Sequence, residues 1–215
     1  MRGGQRVFLD AEHFFDGYKS NPAYALEVLL TAAEAGADVI ALCDTNGGML
    51  PDELAEVVHA AVQTSARVGI HCHDDTGCAV ANTLAAVKAG ATHVQGCANG
   101  YGERSGNANL FTVVANLQLK RGFDLVPPQA LADMTRIAHA ITEVTNVTPN
   151  SHAPYVGTSA FAHKAGPCTP APSRWTRTST STSTPPWSAT TCACWSRTWQ
   201  VARRSSSRAA SSATS

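Results

Sequence analysis

The chain has 215 residues and a formal net charge of zero, sixteen Lys and Arg against sixteen Asp and Glu. That balance argues against a dedicated nucleic-acid binder, no apolar run approaches the roughly 18 to 20 residues of a membrane span, and no apolar core resembling a signal peptide follows Met1. The seven cysteines are an odd count at scattered spacings, and none of Cys43, Cys72, Cys78 and Cys97 forms a CxxC pair, so they read as reduced small hydrophobes of a cytoplasmic protein.

In chain order, Val7 to Asp10 reads as a short strand. Ser20-Asn21-Pro22 opens a helix with Pro in its first turn, continued by the stripe Ala25, Leu26, Leu29, Leu30 and Ala33 and stopped at Gly36. Val39 to Cys43 is a buried strand, and Pro51-Asp52-Glu53 starts a helix with acids in its first turn. Val68 to His73 and His93 to Cys97 are further strands, each followed by a helix, over Val80 to Ala89 and Leu110 to Leu119. Strands apolar on both faces and alternating with helices imply a parallel sheet covered by helices. Four βα units fit half of an eight-fold barrel or a small open sheet, since a whole barrel needs about 250 residues. After Pro127-Pro128 a helix is expected over Gln129 to Val144, then a loop over Pro149 to Tyr155 and the start of another helix from Thr158 to Gly166.

Composition changes at Gly166. The 49 residues that follow hold 12 Ser, 10 Thr, 6 Arg and all four Trp, with no Asp, Glu, Lys, Leu, Ile or Phe. Such a segment buries too little apolar area to offset its ordering entropy and is expected to be disordered. The zero net charge is thus a body of −6 cancelled by a tail of +6. Trp interleaved with Arg could stack single-stranded nucleic acid, but a segment with no fold and no Lys argues against it.

The polar residues gather where each strand ends, the place where barrel and open-sheet enzymes keep their sites. His71-Cys72-His73 is the sharpest pattern. Residues i and i+2 of a strand share a side, so two imidazoles can reach one ion, with Asp74 and Asp75 near enough to orient their rings. A hydrogen-bonded histidine pair is the plainer reading. Asn107 follows a Gly-rich loop and is either a neutral oxygen ligand or a helix N-cap. Glu12 is either a general base or a solvated loop carboxylate. Thr45 offers a hydroxyl at the mouth of the sheet, or caps a turn. The glycines between Gly100 and Gly106 have the wrong spacing for a dinucleotide fingerprint.

At these residues the chain resembles a known family. The strings Asp10-Ala11-Glu12-His13-Phe14-Phe15-Asp16-Gly17-Tyr18-Lys19, Leu42-Cys43-Asp44-Thr45-Asn46-Gly47-Gly48, Gly69-Ile70-His71-Cys72-His73 and Asn99-Gly100-Tyr101-Gly102-Glu103-Arg104-Ser105-Gly106-Asn107 are similar to the citramalate branch of the isopropylmalate and homocitrate synthases. Pro154-Tyr155-Val156-Gly157 and Ala160-Phe161-Ala162-His163-Lys164 extend the likeness, which covers about residues 6 to 166. The resemblance implies the C-terminal half of a (β/α)₈ TIM barrel, its last four units over 1–124, then a helical linker over 125–166 and the tail over 167–215. It implies an acyltransferase that condenses acetyl-CoA with a 2-oxo acid, pyruvate in the citramalate branch, in branched-chain amino-acid biosynthesis. His71, His73 and Asn107 match metal ligands of the family, and Glu12 and Thr45 match active-site positions. The metal would be Zn²⁺, Mn²⁺, Co²⁺ or Mg²⁺, and the intact enzyme a homodimer that needs neither nucleic acid nor membrane. The alternatives are an isopropylmalate or homocitrate synthase and a non-catalytic, metal-binding half-barrel.

Departures from the family are equally specific. Nothing before Val7 matches the family's first strand, which carries a metal-binding Asp, so this chain alone is expected to be inactive or nearly so. Asp74 stands where the family usually has Asn. After Ala165-Gly166 the family continues Leu-His, and here Pro167-Cys168-Thr169 follows. Codons started at the third base of each printed one permit Leu-His-Thr-Ser-Ala-Ile-Lys-Val-Asp-Pro-Asp-Leu-Tyr-Gln-His through Thr182. A one-base frameshift near Gly166 is therefore expected, and the DNA of codons 167 to 182 decides it.

Overall fold

The structure is a computed structural model that describes residues 4–64 and 66–160. Its residues divide into two compact units, one ending at Leu125 and the next beginning at Val126. The first runs β1 (Phe8–Ala11), α1 (Phe14–Ser20), α2 (Pro22–Glu34), β2 (Val39–Asp44), α3 (Pro51–Val62), β3 (Val68–Cys72), α4 (Ala79–Ala89), β4 (His93–Gln95), a 3₁₀ turn over Ala98–Gly100 and α5 (Leu110–Arg121).

All four expected strands form, and they pair in parallel in the order β1-β2-β3-β4. Parallel neighbours that follow one another in sequence need a crossover each time, and crossovers of one hand put every helix on the same face of the sheet. The sheet is therefore a partial α/β barrel, rather than an open sheet wound in two directions. Alternation separates its two faces. Leu9, Ile40, Leu42, Val68, Ile70, Cys72 and Val94 pack with Leu29, Leu54, Val58, Ala86 and Val113 of the helices. Burying each of the larger of these side chains contributes about 1.5 to 3 kcal/mol relative to exposure. The other face carries Phe8 and Asp10, then Cys43, His71, His93 and Gln95, in register across the strands.

Local sequence explains the helix starts. The Asn21 side chain accepts from the Tyr24 N–H, and Pro22 at the first helical position of α2 has no N–H to leave unpaired. Gly90 ends α4 and Gly122 ends α5, both in the left-handed conformation. Helix α1 was not expected from the sequence, because it buries only Phe14 and Phe15 and shows no apolar stripe.

In the second unit, the single helix expected over Gln129 to Val144 is two, α6 (Pro128–Ala132) and α7 (Met134–Thr145). They meet at Asp133, which leaves ideal helical geometry (φ −81°, ψ −6°) and stands at the start of α7, a position that suits an acidic residue. Residues 151–160 are turns and bends, including Thr158 to Ala160, where a helix start was expected. The rest of that segment and the whole 167–215 tail lie outside the described residues. No helix of the described residues is long and apolar enough to cross a membrane.

Candidate active site

Because the strands are parallel, their C-terminal ends share one edge, and the candidate residues follow from that edge. His71 is on β3, and His73 lies just past it. A short antiparallel contact sets Asn107 opposite His73, with the Asp74 N–H donating to Gly106 O (2.9 Å) and the Ala108 N–H to Cys72 O (3.0 Å). The Gly-rich loop after β4 thus folds back onto the end of β3. Asn107 is buried, and its side-chain nitrogen is 2.8 Å from His71 Nε2. The two imidazole centroids are 5.2 Å apart.

Asn107 does not cap α5. Asn109 does, accepting from the Phe111 N–H at 3.1 Å. The cap reading belonged two residues further along, which leaves Asn107 facing the imidazoles.

Asp74 and Asp75 do not orient the histidine rings. Asp74 accepts from the Ala79 N–H at the start of α4 (2.8 Å), and Asp75 takes a two-pronged bond from Arg104 (2.8 and 2.9 Å). Gln95 takes the role that the aspartates were expected to fill. Its Oε1 is 2.9 Å from His71 Nδ1, and its Nε2 donates to Asp10 at 2.8 Å. The signal was present in the sequence, as two polar residues, His93 and Gln95, alternating with core-facing Val94.

His73 Nδ1 is buried and has no hydrogen-bond partner among the described residues. Burial, His71 and Arg104 all hold the His73 imidazole below its ordinary pKa, against the opposing pull of Asp75 and Glu103. It is therefore held toward the neutral, ligand-ready form. No three His, Cys, Asp or Glu side chains gather into a metal cluster among the described residues. The donor set here is two imidazoles and one amide, and the unpartnered ring nitrogen and the chemistry of that set fit a divalent cation.

Glu12 and Thr45 are also brought together. The Thr45 hydroxyl accepts from the His13 N–H (2.8 Å) and donates to Glu12 Oε2 (2.8 Å). His13 takes the left-handed conformation (φ 52°), which aims its N–H at Thr45. Arg104 ties the loops together, adding a bond to the Thr45 carbonyl (2.7 Å) to its pair with Asp75. That guanidinium holds the Asp75 carboxyl below the usual carboxylate range. Cys43, on the same face as His71, is no nucleophile: burial, Glu12 and Asp10 push its thiol up to about 12.

Residues 8–144 match the HMGL-like family model. The (R)-citramalate synthase of Streptomyces coelicolor is 68% identical over 164 residues, which cover 76% of this chain and 31% of that protein. A probable 2-isopropylmalate synthase of Methanopyrus kandleri is 44% identical over 156 residues, covering 70% of this chain and 30% of the relative. The chain thus spans about a third of the length of these curated relatives. Among solved structures, the carboxyl transferase domain of Rhizobium etli pyruvate carboxylase superposes with a TM-score of 0.54 at 22% identity, over 66% of this chain and 24% of that one. That likeness is one of fold.

Proposed function

The chain belongs to the HMGL-like family, and we propose that it is the segment of a citramalate synthase that carries most of the site where acetyl-CoA is condensed with pyruvate. The observation that carries this reading is the meeting of His71, His73 and Asn107 at the end of β3, beside Glu12 and Thr45 at the ends of β1 and β2. His71, His73 and the Asn107 amide would hold a divalent cation, with further ligands from segments this chain does not contain. The chemistry such an ion would supply is Lewis-acid polarisation of the carbonyl of a bound 2-oxo acid.

The protein's own groups supply the rest. An imidazole in its neutral form gives an electron pair without adding charge to the site, and His73 is held toward that form. The Glu12 carboxylate, held by Thr45, is the proton acceptor that we assign to the acetyl methyl group, directly or through one water. The hydroxyl fixes one carboxylate oxygen and leaves the other to accept a proton. The deprotonated methyl carbon then bonds to C2 of the oxo acid as the carbonyl π pair moves onto its oxygen, which takes up a proton, and attack of water on the thioester releases CoA and makes the sequence irreversible.

Pyruvate is preferred as the oxo acid because the citramalate synthase relative is far more similar than the isopropylmalate synthase one, 68% against 44%. The experiment compares CoA release from acetyl-CoA with pyruvate and with 2-oxoisovalerate, using a full-length protein that contains this segment. Faster turnover of pyruvate is expected. Preference for 2-oxoisovalerate would assign the site to isopropylmalate synthesis, and turnover of neither would leave a non-catalytic metal-binding half-barrel.

A further inference from the structure

A chain of hydrogen bonds crosses the face of the sheet that carries no helices, from Asp10 on β1 to Gln95 on β4 to His71 on β3 and on to Asn107. Each link fixes the polarity of the next. The Asp10 carboxylate only accepts, so the group that Gln95 turns toward it is the NH₂. The Gln95 oxygen must then face His71 Nδ1. A carbonyl oxygen also only accepts, so Nδ1 of the neutral ring carries the proton and Nε2 is left with its lone pair. The Asn107 amide nitrogen at 2.8 Å donates to that lone pair. All the partners agree on one tautomer.

We propose that Gln95, oriented by Asp10, is a positioning residue that locks His71 in the Nδ1–H tautomer and so keeps Nε2 unprotonated, the form in which its lone pair can take an ion in place of the Asn107 N–H. The tautomer lock stands on this network alone; its use for metal binding rests on the proposed function. Gln95 joins two strands that are not neighbours, Asp10 and Gln95 being 85 residues apart, so the lock also requires β1 and β4 to curl toward one another. Ring-nitrogen partners of this kind fix the orientation and raise the basicity of metal-binding histidines.

The full 215-residue chain, labelled with ¹⁵N-histidine and free of metal at pH 8, is read by long-range ¹H–¹⁵N spectra, with the His71 signals assigned by their loss in His71→Asn. A protonated Nδ1 and a bare Nε2 are expected. In Gln95→Leu the ring should lose the fixed Nδ1–H form, and Zn²⁺ affinity, measured by chelator competition, should fall about 10- to 100-fold. The double variant Asp10→Asn with Gln95→Glu reverses the polarity of the first link, since the amide donor then stands on β1 and the carboxylate acceptor on β4, and it still offers His71 an acceptor. It should restore both the tautomer and most of the affinity. Circular dichroism checks that each variant is folded. An unchanged tautomer in Gln95→Leu overturns the proposal, whether or not affinity falls, and so does a double variant that rescues neither readout. A locked tautomer in a chain that binds no Zn²⁺ supports the lock and overturns the metal reading of the site.

Discussion

Gly102 has a φ of +156°, and a methyl group there would land on Asn107 Oδ1. The side chain that reaches His71 therefore needs a residue without a Cβ beside it. Gly102→Ala is expected to displace the Asn107 amide and to destabilise the first unit by about 1 to 3 kcal/mol, measured by urea unfolding, with a larger proportional loss of Zn²⁺ binding. Asp75 makes a second prediction at this scale. Arg104 lowers its pKa in the folded state, so the pair's contribution is present above the unfolded value of about 3.9 and is lost as pH falls through the lower folded value. Arg104→Ala should lower stability slightly at neutral pH, leave it nearly unchanged at pH values below the folded pKa of Asp75, and so flatten the acid limb of stability against pH. A wild-type acid limb that the substitution does not alter would remove Asp75 as its source. The pair lies on the surface, so the effect is small and shrinks further in salt.

Two asparagines two residues apart do different work at the level of elements. Asn109→Ala removes the cap of α5 and is expected to cost about 0.5 to 2 kcal/mol of stability, while leaving metal binding close to wild type. Asn107→Ala should weaken Zn²⁺ binding and leave α5 and its unfolding midpoint nearly intact. Chelator competition and thermal melts on the two variants separate the roles, and equal behaviour would contradict the assignment. From the sequence alone Asn107 was open to either role, because a Gly-rich loop before a helix invites a cap at its last polar residue and two such residues stand there. The strands were readable because Val39 to Cys43 is apolar on both faces and Val68 to Cys72 is broken only by His71, and period two put His71 and His73 together. What could not be read depends on neighbours far apart in the chain. Gln95 meets Asp10 only once four strands are paired in order, and Arg104 meets Asp75 only once the loop after β4 folds back. The break at Asp133 was not legible because the apolar pattern runs through it without interruption.

For the first unit as a whole, the curvature of the sheet is the decisive property. Strands pack about 4.8 Å apart, so in a flat sheet β1 and β4 would lie about 14 Å apart, too far for their side chains to meet. Yet the Phe8 and His93 rings are 5.0 Å apart, and Gln95 reaches Asp10. The four strands therefore form an arc, and its inner face carries Asp10, His71 and Gln95. Among the described residues β1 pairs only with β2 and β4 only with β3, so the arc has two open edges. A closed barrel encircles its substrate with the loops of eight strands, and this arc supplies four. On the proposed function, it would present His71, His73 and Asn107 to an ion while walling a 2-oxo acid on one side only. The purified 215-residue chain is accordingly expected to bind Zn²⁺ through these residues and to release no CoA from acetyl-CoA and pyruvate above the rate of its His71→Asn variant. A thiol-reactive dye follows CoA directly. If the wild-type chain did turn over and His71→Asn did not, the four-strand arc would suffice for catalysis, and enclosure by the remaining strands would serve rate or selectivity rather than the chemistry itself.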